Sequence, residues 1–285
     1  MENQLHWVEC PRDAMQGISE FIPTEKKISY INSLLNVGFS TLDIGSFVSP
    51  KAIPQMRDSL EVIRRVQWKK NKPEFLVIVA NERGAEAAVQ EERIDVLGFP
   101  LSISETFQQR NTGGGIEEGI QRLDKIQELV LKHNKKLVIY LSMGFGNPYN
   151  EPFSPEMLVE FSQKIDQRFQ TQCIALSDTI GAAEPNIIES SFMQLTSAFP
   201  HLTFSAHFHT TPDMAHQKLN AAWNGGCRRF DSAIGGWGGC PMAKDDLTGN
   251  MPSEAIIHTL GAYLPVDFEP ASFFEAQQMA QLIFT

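Results

Sequence analysis

The sequence has few of the features that mark membrane, secreted or nucleic-acid-binding proteins. No apolar run in its 285 residues approaches the roughly 20 that a spanning helix needs; those at 137–141 and 75–80 stop far short. Cysteine is scarce, with four residues at positions 10, 173, 227 and 240 and no CxxC pair. Neither a disulfide framework nor a cysteine-based zinc site is therefore expected. Met1-Glu2-Asn3-Gln4 shows no basic region leading into an apolar stretch, so no secretory signal is expected and the expected location is cytoplasmic. Positive charge is also in deficit, with a formal net charge of −10. That balance argues against nucleic acid as a partner, because phosphate backbones need a basic surface. It leaves phosphorylated small molecules open, since a local cluster of Lys and Arg can bind them on an acidic protein. No proline-rich linker or long low-complexity segment divides the chain, so one domain over 1–285 is expected.

Eight short apolar runs recur along the chain, at 5–9, 41–44, 75–80, 94–99, 137–142, 173–177, 202–206 and 229–232. Continuous apolar character is what parallel strands covered by helices on one side and a core on the other should show. Helical patterns separate them. Thr24 reads as an N-cap ahead of Ile28, Ile31, Leu34 and Leu35, with Gly38 as the stop. Ile116, Ile120, Leu123, Ile126 and Val130 keep a helical period. Ser154-Pro155-Glu156, Glu184-Pro185-Asn186 and Thr211-Pro212-Asp213 read as helix entries, and helices are expected over about 253–285. Eight strands with intervening helices predict an α/β fold of the closed (β/α)8 TIM-barrel type. No GxGxxG follows the first strand, which weakens an open dinucleotide-binding sheet. Asn111-Thr112-Gly113-Gly114-Gly115 reads as a mobile loop.

The polar residues track the C-terminal ends of these strands, where a (β/α)8 barrel places its active site. His207-Phe208-His209 is the sharpest signal. Residues i and i+2 of a strand share a face, so both imidazoles can reach one metal; the alternative is two histidines that only line the mouth. Adding Asp13 and Asn250 as oxygen donors gives a mixed set suited to Mg2+ or Mn2+, with Zn2+ admitted. Arg12-Asp13 reads either as a structural ion pair or as a metal-binding carboxylate beside a cation that stabilises an enolate. Gly235-Gly236-Trp237-Gly238-Gly239-Cys240-Pro241 reads as a glycine-rich loop able to close over substrate while carrying one thiol.

Taken in order, these segments resemble the 3-hydroxy-3-methylglutaryl-CoA lyases, within the aldolase-like metallolyases. Pro11-Arg12-Asp13-Ala14-Met15-Gln16 is similar to that family's opening PRDGLQ. The resemblance continues through Ser46-Phe47-Val48-Ser49-Pro50-Lys51, Asn81-Glu82-Arg83-Gly84, Asp178-Thr179-Ile180-Gly181, the two histidines, Gly238-Gly239-Cys240-Pro241 and Gly249-Asn250. It implies a divalent metal on Asp13, His207, His209 and Asn250. It implies Arg12, Asp43, His207 and Cys240 as catalytic groups, and Gln16, Ser46, Asn81, Asp178 and Thr179 as substrate contacts. The implied partner is an acyl-CoA, with Lys51 and Arg57 near the loop expected to meet it, no membrane and a homodimer as the assembly. Asp43 stands where the family has a glutamate, Gly17-Ile18 where it has Asn-Glu, and Thr210 follows the histidines where it has Asp. A longer spacer separates Cys240 from Asn250. A Claisen-condensing synthase and a catalytically weak metal-binding barrel are the competing readings.

Overall fold

The computed structural model describes residues 4–67, 73–239 and 248–285. Among these, β1 (His6–Glu9), β2 (Thr41–Ser46), β3 (Glu74–Ile78), β4 (Val96–Ser102), β5 (Lys136–Ser142), β6 (Cys173–Asp178), β7 (Thr203–Thr210) and β8 (Arg229–Ser232) pair in parallel with their neighbours. β1 pairs with both β2 and β8, and β6 with β7, which closes the barrel. The helices that cover it are α1 (Pro11–Gln16), α2 (Thr24–Leu34), α3 (Ser59–Arg65), α4 (Glu82–Val89), α5 (Glu105–Thr112), α6 (Ile116–Lys132), α7 (Pro155–Arg168), α8 (Pro185–Ala198), α9 (Ala215–Asn224), α10 (Ser253–Leu260) and α11 (Pro270–Phe284). All eight expected strands are present, offset by a few residues, and β7 continues four residues beyond its apolar run so that both histidines lie on it. A ninth, two-residue strand, β9 (Gly249–Asn250), pairs antiparallel with the end of β7; nothing apolar marks it in the sequence.

Two apolar cores follow from the strand period. Leu76, Val96, Val138, Tyr140, Cys173 and Ala175 form a cluster of their own, with Ile78 packed against it, and alternate along β3–β6. The residues between them belong to the larger cluster shared with the helices. In that layer Trp7, fully buried, meets Phe39 edge-on at 4.6 Å and lies near Phe268 and Phe273.

Three local expectations are corrected. Thr24 is the first helical residue of α2 and Pro23 precedes it as the cap; the Thr24 hydroxyl instead donates to Asp58 Oδ2 at 2.8 Å. Asn111-Thr112-Gly113-Gly114-Gly115 forms a tight corner and no loop insertion. Asn111 and Thr112 end α5, Gly113 caps it in the left-handed region (φ 70°), and Gly115 leads into α6. Three glycines let two helix ends meet within so few residues. The turn begun at Thr211 precedes α9, which starts at Ala215.

Outside β1 a buried polar chain ties the first strand to the last. Trp7 Nε1 donates to Ser232 Oγ at 2.8 Å, Ser232 and Ser253 share a hydrogen bond at 2.8 Å, and the Ser253 hydroxyl meets Glu9 Oε2 at 2.5 Å. Glu9 Oε1 accepts from the Ile234 amide at 2.8 Å. Burial outweighs these bonds and pushes Glu9 up to about 8. Between the ordinary value of 4.5 and about 8, the folded protein therefore holds a proton that the unfolded chain has released, so stability falls as pH rises through that window. The thermal midpoint of Glu9→Gln should show a flatter pH dependence there. One proton accounts for at most about 1.4 kcal/mol per pH unit. Parallel profiles for the two proteins would show that Glu9 is ionised in the fold.

Candidate active site

The mouth of the barrel is built from the ends of β1, β6 and β7. Pro11 at the start of α1 turns the chain into a short helix directly after β1, which sets Arg12, Asp13 and Gln16 over the barrel opening. The Arg12 guanidinium organises this corner. Its Nε donates to Asp43 Oδ1 and Oδ2 at 3.1 and 2.9 Å, and Nη2 also donates to Asp43 Oδ2. Nη1 donates to Asp13 Oδ1 at 2.7 Å and to Gln16 Oε1 at 2.8 Å. Gln16 Nε2 in turn donates to Asp13 Oδ1 at 2.9 Å. Asp13 Oδ1 thus accepts two bonds, while Oδ2 faces His209 Nε2 at 3.9 Å.

Each histidine is held by one ring nitrogen. His209 Nδ1 lies 2.8 Å from the Thr179 carbonyl. A carbonyl can only accept, so the proton is assigned to Nδ1 and Nε2 carries the lone pair. That Nε2 is buried and has no hydrogen-bond partner among the described residues. His207 Nδ1 lies 3.1 Å from Asp231 Oδ2, and Tyr140 stands edge-on to its ring at 5.4 Å. Ligand atoms of Asp13, His207 and His209 all fall within 4.8 Å of one another. An unpaired buried nitrogen costs free energy unless something accepts its lone pair; beside a carboxylate and a second imidazole, a divalent cation fits that role. Asn250 pairs with His209 across the β7–β9 ladder. Its Nδ2 donates to the Trp237 carbonyl at 2.8 Å, leaving its amide oxygen available as a ligand. The glycine loop closes on this corner, where a side chain at Gly238 would collide with Asn250 Nδ2 and the Asp13 carbonyl, both at 2.7 Å.

A second triad, Cys10, His207 and Asp231, is equally compact, but its donors are committed. Burial, then Asp231, Asp43 and Asp13, push the Cys10 thiol well up, so it stays protonated. Asp231 Oδ1 accepts from Arg229 and Ser205, both at 3.2 Å, and Oδ2 meets His207.

The three mouth carboxylates differ in proton affinity. Burial raises that of Asp13, but the Arg12 guanidinium at 2.7 Å holds it well below the usual carboxylate range. Asp231 is also lowered: burial opposes this, and Arg229 and His207 prevail. Asp43 goes the other way. Burial, reinforced by Asp13 and Asp231, outweighs Arg12 and pushes it up to about 6. His207 is raised, because Asp231 more than offsets burial.

Arg12, Asp13, Gln16, Thr179, His207 and His209 line one cavity of about 440 Å3. Asp43 is not on its wall; it is 1% exposed behind Arg12. Ser46 and Asn81 line a neighbouring groove of about 420 Å3 that also holds Arg57 and Arg83, and Asn81 caps α4 by accepting from the Gly84 amide. Arg57 stacks over Phe21 at 3.5 Å. Asp178, expected to touch substrate, is sealed off. It is 1% exposed and accepts from the Ala182 and Ala183 amides at 2.9 and 3.1 Å and from Lys218 at 2.6 Å. Its neighbours Ser177 and Thr179 face the cavity, and on a strand the residue between them must face away. Cys240 lies outside the described residues. Tyr140, Asp231 and Arg229 join the site only in the fold. The signal available was two charged residues, 229 and 231, on one face of an otherwise apolar strand.

A family model described as HMGL-like matches residues 4–274. The chain belongs to the HMGL-like family. Its relatives include a hydroxymethylglutaryl-CoA lyase of Bacillus subtilis, 34% identical over 88% of this chain and 82% of that protein. A 3-hydroxy-3-isohexenylglutaryl-CoA/hydroxymethylglutaryl-CoA lyase of Pseudomonas aeruginosa is 30% identical over 88% of this chain and 82% of its own length. Among solved structures, an HMG-CoA lyase from Acinetobacter baumannii in complex with coenzyme A and 3-methylmalate superposes with a TM-score of 0.89 at 27% identity, covering 100% of this chain and 92% of that one.

For the site itself, His209→Ala and Asp13→Ala should each weaken Mn2+ binding by more than about 100-fold, since even partners one step removed from a metal are worth about 10–100-fold. Titration calorimetry on the folded variants checks this, and unchanged affinity would remove the residue from the ligand set.

Proposed function

We propose that this HMGL-like protein is a divalent-metal-dependent carbon–carbon lyase that cleaves 3-hydroxy-3-methylglutaryl-CoA to acetoacetate and acetyl-CoA. The observation that carries this reading is the convergence, in one cavity, of Asp13, His207 and the unpartnered Nε2 of His209 beside the Arg12 guanidinium. Asp13, His207, His209 and Asn250 would hold the ion. Their mix of imidazole and oxygen donors suits Mg2+ or Mn2+ and admits Zn2+. When bound, the ion supplies Lewis acidity toward the oxygens of the substrate.

The chain's own groups account for the remaining charge and protons. Arg12 keeps one Nη2 N–H unengaged among the described residues, and it lines the cavity. It is placed to stabilise negative charge on the thioester oxygen as the C–C bond breaks. The tertiary hydroxyl must lose its proton for that bond to break. Asp43 is the buried carboxylate whose proton affinity is raised, and we assign it the proton; Arg12, which stands between it and the cavity, swings aside for that transfer and returns to the thioester oxygen before the C–C bond breaks. His207, with Nδ1 held by Asp231 and Nε2 given to the ion, has no nitrogen left to act as base and is assigned as a ligand. Cys240 is assigned the return of a proton to the acetyl-CoA carbon. Gln16 and Thr179 border the substrate, and the protein would work in the cytoplasm as a homodimer.

A close relative of this substrate, a 3-hydroxyacyl-CoA with a longer branch, is the second reading. It is favoured by the apolar wall of Ile78, Pro100 and Phe107 in the cavity and by the dual-substrate lyase among the relatives.

Purified protein incubated with 3-hydroxy-3-methylglutaryl-CoA should release acetoacetate and acetyl-CoA in equal amounts with Mg2+ or Mn2+, and none after EDTA. A folded, metal-loaded protein that leaves this thioester intact would shift the assignment to the longer-branched substrate.

A further inference from the structure

Below the mouth, the barrel interior carries a chain of polar contacts that runs up to His207 from Arg229 and Asp231, neither of which lines the cavity. Arg229 Nη1 donates to Ser205 Oγ at 2.8 Å and to Asp231 Oδ1 at 3.2 Å. Asp231 Oδ2 then meets His207 Nδ1 at 3.1 Å. Arg229 and Asp231 are 5% and 3% exposed, and the parallel register places Ser205 beside Arg229 and His207 beside Asp231 on adjacent strands. Each Asp231 oxygen thus has a separate task, Oδ1 accepting from the guanidinium and from the Ser205 hydroxyl, both at 3.2 Å, and Oδ2 facing the imidazole.

We infer that Asp231 and Arg229 are positioning residues that fix the His207 ring with its proton on Nδ1, so that the nitrogen facing Asp13 and His209 is the one with a lone pair. This rests on His207 being a metal ligand. An imidazole that ligates through one nitrogen is oriented, and made more basic, by what the other nitrogen donates to. Arg229 does more than balance charge. By occupying Oδ1 it dictates which way an amide at position 231 would lie. In Asp231→Asn the carbonyl oxygen would stay with Arg229, because a guanidinium can only donate. The NH2 would then point at His207 Nδ1 and force the ring proton onto Nε2, the wrong nitrogen for a ligand. Replacing Arg229 by Met in that background frees the amide to flip and accept from Nδ1–H again, because the Ser205 hydroxyl can donate to the backbone carbonyl at position 229, 3.1 Å away, and accept from the NH2.

The test uses metal-free protein labelled with 15N-histidine, studied by long-range 1H–15N NMR at alkaline pH where the ring is neutral. The wild type should show His207 as the Nδ1–H tautomer, Asp231→Asn as Nε2–H, and Asp231→Asn/Arg229→Met a return toward Nδ1–H. Mn2+ affinity, read by electron paramagnetic resonance, should follow: a loss of about 10–100-fold in the single variant and partial recovery in the double. Unchanged tautomer and affinity in folded Asp231→Asn would overturn the inference, as would a lower thermal midpoint with no tautomer change. No recovery in the double variant would overturn the part given to Arg229. The tautomer measurement needs neither metal nor substrate, so a wild type that binds no Mn2+ would defeat the metal reading separately.

Discussion

The mouth of this barrel depends on the pleat of β7. Two imidazoles two residues apart on one strand share a face, but sharing a face does not aim two ring nitrogens at one point. That takes a partner for each remaining nitrogen, and the neighbouring strands supply one apiece: the Thr179 carbonyl from the end of β6 for His209 and the Asp231 carboxylate from β8 for His207. With both Nδ1 atoms occupied, the two Nε2 edges are left for Asp13, carried in by α1 across the opening. Closure of the sheet is what brings β6, β8 and the start of α1 within reach of the same two rings.

Three carboxylates and two guanidiniums are buried within this small volume, and each would be costly alone. They alternate in sign: Asp43, Arg12 and Asp13 above, His207, Asp231 and Arg229 below. The consequence is division of labour more than stability. Asp13 and Asp231 are held ionised by the cations they face, whereas Asp43, burdened by burial and two like charges, is pushed up toward neutrality. Similar side chains a few ångströms apart thereby acquire different proton affinities from surroundings alone.

Much of the architecture is visible in the sequence, because parallel strands packed on both sides must be apolar almost throughout. The histidines were visible for the same reason, as polar residues at period two where apolar ones would be expected. What the sequence hides is partnership across strands. Nothing near position 12 reveals that Arg12 would clasp Asp43, because the contact exists only once β1 and β2 pair. Asp178 misleads for the opposite reason. It sits among polar residues at a strand end, and only the alternation of Ser177, Asp178 and Thr179 shows that the middle one turns to Lys218 in the helix layer. β9 is invisible because two residues carry no period; its place is set by the ladder with His209 and Thr210.

Two imidazoles and a carboxylate should meet at one metal ion. Electron spin-echo modulation of the Mn2+-loaded protein, with histidine labelled in 15N, tests it most directly. Coupling to two histidine nitrogens is expected, reduced to one in His209→Ala. Coupling to none in a protein that nonetheless binds Mn2+ would place the ion away from His207 and His209.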